Sequence, residues 1–230
     1  MPAPDVVEVL TPKFTKYPLW FYAVVRDDTR DVNRVQIFER ASAVDPWLLV
    51  ASPETLAETT LPDVRRRGGA PVKVRPDDGR GVSMSVDAAA TAYVKALGDP
   101  GSQSATAVEN DSFIKQMRQT AATNADLPNV TFSQTWAADD VEFALRTSDG
   151  GALAFVTLLR TDTYEVKDGL TITWPEGTPQ QAFLASGIAG SGRLNYYHQV
   201  LLYLPGGSGK PRALGQYGGV VSGDADGFVR

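Results

Sequence analysis

Residues 149–166 read DGGALAFVTLLRTDTYEV and join a turn signal to a long run of strand-forming residues. The sequence Asp149-Gly150-Gly151 is typical of a tight hairpin turn. Residues 152–166 that follow it are rich in the β-branched and aromatic side chains that favour strands. We therefore predict one long antiparallel strand from Ala152 to Val166, and Asp168-Gly169 marks the turn that follows it.

The segments around this strand predict a sheet preceded by two helices. One helix is predicted to begin at a Ser85 cap, and a second at Asn110 or Asp111, because such side chains accept hydrogen bonds from the first helical amides. Further strands are predicted at 130–136, 141–146, 193–204 and 213–221. Helices followed by long strands are the order of the cystatin and nuclear transport factor 2-like folds, in which a helix lies in a curved sheet. We predict such a domain for residues 81–230.

The first 80 residues read as a separate β-rich unit. Strands are predicted at 19–25, 32–41 and 47–51, and their connections are too short for parallel crossovers, so an antiparallel meander is expected. Prolines, the Gly68-Gly69 pair and three consecutive arginines make residues 52–83 a predicted linker. The fold class predicted for the whole chain is α+β, with a domain boundary near residue 80.

Composition excludes several classes of function. The chain has 230 residues, 43% of them hydrophobic, and a formal net charge of −5, which disfavours nucleic acid and anionic lipid as partners. It has no cysteine, so disulfides and thiolate metal sites are excluded. No apolar run approaches the ~20 residues that span a bilayer. Because residues 1–5 lack a signal peptide, we expect a chain cut from a longer precursor with Met1 added by cloning; a native cytosolic start is the alternative.

Three segments carry a family resemblance. Residues 17–26 (YPLWFYAVVR), 35–40 (VQIFER) and 45–51 (DPWLLVA) resemble an uncharacterised domain of actinobacterial secreted lipoproteins of the Streptomyces type. The resemblance is strongest over residues 17–52. It implies a location outside the cytoplasm, with membrane attachment only through a lipid anchor that this chain does not contain. It implies no catalytic residue.

The single histidine, His198, suggests a candidate site. Strand alternation places Tyr196, His198 and Val200 on one face and Tyr197, Gln199 and Leu201 on the other. A general base or pH sensor in a concave pocket is one interpretation; a hydrogen-bonded structural histidine is the one we favour. If a ligand pocket exists, the sequence predicts that it is lined by Trp136, Tyr164, Tyr196 and His198.

Other motifs indicate turns and loops rather than chemistry. Paired aspartates such as Asp139-Asp140 lack the spacing of a calcium loop, and one histidine without cysteine argues against a transition-metal site. Residues 206–211 (GGSGKP) lack the hydroxyl residue and helix of a phosphate-binding loop. Gly190-Ser191-Gly192 lacks the spacing of a nucleophile elbow, and Arg65-Arg66-Arg67 reads as a solvated loop. No cofactor, metal or catalytic residue is predicted.

Three classes of function agree with this sequence. The first is a non-catalytic extracytoplasmic domain that binds or scaffolds an envelope protein, a wall polymer or a small hydrophobic molecule. The second is a carrier or enzyme of the nuclear transport factor 2-like type, in which Asp162 or Glu165 would act with Tyr196 and His198 in an apolar pocket. The third is a structural spacer with no ligand.

Overall fold

A computed structural model describes residues 5–226 except 58, 140 and 142, and strands are its most abundant regular structure. The strands in chain order are β1 (Asp5–Leu10), β2 (Leu19–Asp27), β3 (Val32–Arg40), β4 (Leu48–Ala51), β5 (Glu54–Thr55), β6 (Arg66–Arg67), β7 (Ala70–Pro71), β8 (Val130–Ala138), β9 (Phe143–Arg146), β10 (Ala152–Val166), β11 (Ser191–Leu204) and β12 (Arg212–Ala225). The helices are α1 (Val86–Gly98), α2 (Ser112–Ala125) and α3 (Pro179–Phe183), and a 3₁₀ turn lies at Gln103–Ala107.

Ten of these strands form one antiparallel sheet in the order β1-β2-β3-β5-β12-β11-β10-β8, with β4 paired to β3 and β9 paired to β10. The remaining two, β6 and β7, form a small separate hairpin. The junction between the two halves of the chain is the short β5, whose Glu54 and Thr55 lie opposite Gln216 and Gly215 of β12. Glu54 also accepts a hydrogen bond from Arg34 of β3 at 3.2 Å.

The long strand β10, which pairs with β11 on one side and with β8 and β9 on the other, is buried on both faces over its first half. Ala154 and Val156 point into a core formed with α1 and α2, whereas Leu153 and Phe155 point into a second core formed with β2 and β3. From Thr157 onward the burial alternates, since the second face is no longer covered by β2 and β3. The sheet therefore curls so that its N-terminal strands cover one end of the long C-terminal strands and leave the other end open.

Both predicted helix caps are confirmed. The Ser85 hydroxyl accepts a hydrogen bond from the amide of Ala88, and the Asp111 carboxylate accepts one from the amide of Ile114. These bonds satisfy amides that the first helical turn otherwise leaves unpaired. Asp111 also accepts hydrogen bonds from the Tyr93 hydroxyl at 2.7 Å and from the amide of Ala213 at 2.8 Å, which fixes α2 against α1 and β12.

The prediction of an α+β fold with a cystatin or nuclear transport factor 2-like domain is wrong. Strand accounts for 44% of the residues and helix for 17%, and the strands assigned to two units form one ten-stranded sheet. The physical reason is the second apolar face of β10, which has to be covered. The N-terminal strands cover it, and helical segments on the opposite face form a minor layer.

The boundary near residue 80 stays a prediction, but residues on both sides of it share one core. Trp20, Tyr22 and Ile37 pack in the same cluster as Phe155 and Leu201. Part of the predicted linker is structured: Gly68-Gly69 turns β6 into β7, and Arg66 of β6 forms an ion pair with Glu8 of β1.

Candidate functional site

A buried polar cluster lies between the helices and the sheet, at the positions where the sequence predicted a pocket. Arg160 and Asp162 lie on β10, and Tyr196 and His198 lie on β11, with Arg160 directly opposite Tyr196 in the register. Even-numbered residues of both strands are buried on one face of the sheet, so the predicted shared face of Tyr196, His198 and Val200 is confirmed. Arg160, Asp162 and His198 are 5%, 0% and 6% exposed.

Arg160 and Asp162 hold the cluster together by charge. The Arg160 Nη2 atom lies 3.0 Å from Asp162 Oδ2, and the guanidinium carbon lies 3.6 Å from the centre of the Tyr196 ring. Asp162 accepts a second hydrogen bond from Gln134 Nε2 at 2.9 Å, and the Gln134 carbonyl accepts one from the Trp136 indole at 2.7 Å. Burial raises the pKa of Asp162, while Arg160 and Gln134 oppose that rise.

His198 is packed among aromatic rings. Its ring centre lies 5.4 Å from Trp136, 5.7 Å from Phe113 and 6.3 Å from Tyr196. Within the described residues neither ring nitrogen has a hydrogen-bond partner of normal geometry, although Gln216 interacts weakly with the ring. Burial and the neighbouring Arg160 lower the pKa of His198 to about 4, so the ring is neutral at pH 7.

The structure brings three of the four predicted pocket residues together and places the fourth beside them. Trp136, Tyr196 and His198 are neighbours, with His198 between the other two rings. Tyr164 packs in an adjacent cluster, 5.8 Å from Trp174, and its hydroxyl accepts a hydrogen bond from Asn124 at 3.3 Å. Burial raises the pKa of Tyr164. Glu165, weighed as a partner for His198, is exposed on the opposite face of β10.

This cluster is filled by its own side chains. Phe113 and Met117 of α2 close it from above, and Arg160 Nη1 lies 3.4 Å from the Met117 sulfur. Five depressions of the described surface lie elsewhere, and their lining residues do not include His198, Trp136 or Tyr196. The neutral histidine and the ion pair are enclosed by neighbouring side chains, an arrangement suited to holding the helices on the sheet.

An open groove lies on the opposite face of the same strands, where the covering by the N-terminal strands ends. A depression of about 510 Å³ is lined by Asp139, Thr157, Tyr197, Gln199, Tyr217 and residues 218–221. A second depression of about 230 Å³ shares Asp139, Thr157 and Gln199 with it and continues to Val50 and Ala51 of β4. Together these residues form what we call the outer groove.

Two tyrosines are the main apolar features of the outer groove. Tyr197 of β11 is 52% exposed and Tyr217 of β12 is 58% exposed. Tyr217 lies opposite Gln199 in the register, two residues from the level of Tyr197, so the two rings are diagonal neighbours on one face. Gly219 lies directly opposite Tyr197 and leaves that ring uncovered.

The edge of the groove is fixed by backbone bonds and by one side-chain amide. Gln199 accepts a hydrogen bond from the amide of Ser52 at 2.9 Å and donates one to the carbonyl of Val50 at 2.7 Å, as a neighbouring strand would. Asp139 donates its amide to the carbonyl of Thr157 at 2.9 Å, in the interruption between β8 and β9. Hydroxyl, amide and carboxylate groups therefore surround the two tyrosines.

Sequence reasoning missed this groove, although alternation had already placed Tyr197 and Gln199 on the face opposite His198. The available signal was the Gly218-Gly219 pair inside a strand, because glycine in a strand often marks a close approach of another group. Tyr217 and Asp139 carry no such signal, since their proximity depends on the β11–β12 register and on the break between β8 and β9.

Two findings concern metal ligands and membrane-spanning helices in the described part of the chain. No group of three or more histidine, aspartate or glutamate side chains there is arranged to hold a metal ion. Within residues 5–226, apart from the three undescribed positions, no helix has the length and apolar character needed to cross a bilayer.

Comparison with known proteins identifies a family over nearly the whole sequence. Residues 5–225 match a family described as a domain of unknown function, DUF8094. No curated protein and no solved structure matches the chain. The match agrees with the expectation of an uncharacterised domain, and it extends far beyond the segments at residues 17–52 on which that expectation was based. The chain belongs to the DUF8094 family.

Proposed function

We propose that this chain is a non-catalytic binding domain of the bacterial cell envelope and that the outer groove is its binding face. The observation that carries the proposal is the pair of half-exposed tyrosines in an open groove, over a glycine that leaves one ring uncovered. Exposed aromatic rings surrounded by a few polar groups are typical of ligand sites. The location outside the cytoplasm, with attachment through a lipid anchor, rests on the resemblance to secreted lipoproteins.

The buried cluster supports a non-catalytic role. A general base needs a position within hydrogen-bond reach of a substrate proton. His198 is 6% exposed and enclosed by rings, and Asp162 is fully buried in an ion pair. These groups stabilise the helix–sheet interface, and a pocket enzyme built on them would have to displace Phe113 or Met117.

Cosedimentation of the full chain with purified envelope fractions tests the proposal. Wall material and membrane vesicles from an actinobacterium would be incubated separately with the wild-type protein and with the double variant Tyr197→Ala/Tyr217→Ala. We expect the wild type to sediment with one of the fractions and the double variant to remain in solution. Phe183→Ala is the matched control, because Phe183 is an exposed aromatic residue outside the groove.

Two outcomes would contradict the proposal. If no fraction retains the folded wild-type protein, the chain is better explained as a structural spacer. If the double variant sediments as well as the wild type does, binding occurs elsewhere on the surface. Circular dichroism of each variant confirms that any loss of binding is not a loss of folding.

A further inference from the structure

The glycines of β12 divide into two kinds. A Cβ atom placed on Gly215 would lie 2.7 Å from the carbonyl of Glu54, one on Gly218 would lie 2.4 Å from His198 Nδ1, and one on Gly223 would lie 3.0 Å from Leu194. Gly215 and Gly218 need glycine because the neighbouring atoms leave no space, whereas at Gly223 the Leu194 side chain would have to move by a few tenths of an ångström. At Gly219, by contrast, a Cβ atom would have no neighbour within 4 Å.

Gly219 therefore lacks a packing reason in the described structure. It does not adopt a left-handed backbone conformation either, since the positive-φ glycines lie elsewhere. Glycine inside a strand lowers stability, because it gives up side-chain packing and loses backbone entropy on folding. A β-bulge at Val221 interrupts the register two residues further along, but Gly219 itself pairs regularly with Tyr197. A further use of glycine in a strand is to admit a close-lying ligand, and the space above Gly219 is the part of the groove beside the Tyr197 ring.

The chemistry of the lining indicates what would lie there. Two tyrosine rings provide apolar faces, and Thr157 and Asp139 add a hydroxyl and a carboxylate to the lining. A pyranose ring has both features that this lining complements: C–H faces that pack on aromatic rings and equatorial hydroxyls that form hydrogen bonds. Peptide and lipid chains do not present both an apolar C–H face and several hydroxyl groups in every repeating unit.

The charges narrow the ligand class further. Asp139 is the one charged residue among the described residues that line the outer groove, and no lysine or arginine lines it. A polyphosphate or polyanionic polymer would be repelled, also because the whole chain carries a formal net charge of −5. The volume of about 510 Å³ falls within the range of about 300–1,000 Å³ common for ligand sites.

We infer that the outer groove binds an uncharged polysaccharide chain of the bacterial envelope, with sugar rings stacked on Tyr197 and Tyr217 over Gly219. This inference rests on the proposed binding function and adds its ligand class. Thr157 would hydrogen-bond the sugar hydroxyls, and Asp139 lines the groove beside it. Gln199 keeps its amide on Val50 and Ser52, so it positions the wall of the groove instead of contacting the sugar.

Titration calorimetry with soluble oligosaccharides tests the inference on the full chain. One series contains oligomers of N-acetylhexosamines, as in wall glycans, and the other contains oligomers of neutral hexoses. We expect one series to bind, and Tyr197→Ala and Tyr217→Ala each to weaken that binding about tenfold or more. Gly219→Val is expected to abolish it, because the added side chain fills the space beside Tyr197, where a Cβ atom meets no neighbouring atom. Phe183→Ala should bind like the wild type.

Each outcome of this experiment decides a separate point. Binding that survives Gly219→Val and both tyrosine variants would overturn the site. Absence of binding in both series, while the wild-type protein still sediments with envelope fractions through the groove, would overturn the ligand class and leave the proposed function standing. In that case sedimentation should also survive periodate oxidation of the envelope sugars, which identifies a protein or lipid partner instead.

Discussion

At the scale of single residues, the buried pair of Arg160 and Asp162 places two charges where water does not reach. Removing charges from water costs several kcal/mol for each ion, on the order of magnitude known for protein interiors. Here the ion pair at 3.0 Å, the amide of Gln134 and the Tyr196 ring replace the lost hydration. The ion pair as a whole therefore contributes little net stability. Each charge alone would be strongly destabilising, because the other charge compensates for its lost hydration.

This dependence predicts a large effect of breaking the pair. Asp162→Ala leaves the Arg160 guanidinium buried without its carboxylate, and we expect the free energy of unfolding to fall by about 3–5 kcal/mol. The double variant Arg160→Met/Asp162→Leu removes both charges, so its free energy of unfolding should fall far less than that of Asp162→Ala. Urea unfolding followed by tryptophan fluorescence measures both. A single variant as stable as the double variant would show that Arg160 finds another partner or reaches water.

His198 predicts a stability that depends on pH. Its pKa falls from 6.5 in the unfolded chain to about 4 in the folded protein. Below pH 6.5 the unfolded chain therefore takes up a proton that the folded protein refuses, and protonation favours unfolding. The contribution of the neutral His198 ring to folding stability is fully present above pH 6.5 and is lost as the pH falls to about 4. At roughly 1.4 kcal/mol for each pKa unit, the loss amounts to about 3 kcal/mol.

The variant His198→Leu isolates this effect. We expect its unfolding free energy to fall less than that of the wild type between pH 7 and pH 4, as measured by urea unfolding at each pH. Asp162 has a raised pKa and therefore acts in the opposite direction, because the folded state takes up its proton more readily than the unfolded chain. Both proteins contain Asp162, so it cancels in the difference between them. If the unfolding free energies of the two proteins changed equally between pH 7 and pH 4, the loss of stability could not be assigned to His198.

At the scale of elements, the consecutive glycines of β12 face opposite sides of the sheet and predict opposite effects. Gly218→Ala would bring a methyl group to 2.4 Å from His198 Nδ1 and 2.7 Å from the Tyr197 carbonyl. Such overpacking costs about 1–3 kcal/mol. Gly219→Ala meets no atom within 4 Å and removes a glycine from a strand, so it should be neutral or stabilising by up to about 1 kcal/mol.

Thermal unfolding of the two variants under identical conditions checks this contrast, and each variant is the matched control of the other. Equal destabilisation by both substitutions would mean that the strand needs glycine for its backbone path at both positions. Gly219 would then have a structural reason, and the proposed ligand above it would lose its main support.

Strand alternation explains which parts of these elements were predictable. The bounds of β10 and the shared face of Tyr196, His198 and Val200 follow from local pattern, because side chains in a strand alternate. The caps at Ser85 and Asp111 are local as well. The two-residue strand β5 has no local signal of its own and forms only because β3 and β12 lie on either side of it.

At the scale of the whole molecule, the shared core of the N- and C-terminal strands predicts that residues 81–226 do not fold alone. In that fragment Leu153, Phe155 and Leu201 would lose their covering by Trp20, Tyr22 and Ile37. We expect a fragment that binds a hydrophobic dye and unfolds without a sharp transition, as exposed apolar faces do. The full chain, prepared in parallel, should show one cooperative transition. A fragment that unfolds cooperatively would support the domain boundary near residue 80.

Local features follow from the amino-acid sequence alone: the long strand β10, the helix caps, the side-chain faces of β11, the net charge and the absence of cysteine. Each of these depends on neighbours in the chain or on composition. Three features arise from tertiary contacts: the two strand groups form one sheet, Phe113 and Met117 fill the predicted pocket, and Tyr197 and Tyr217 share an open groove. These features depend on contacts between residues far apart in the chain. Whether a strand is buried on both faces depends on which other elements pack against each face, and local sequence does not specify those elements.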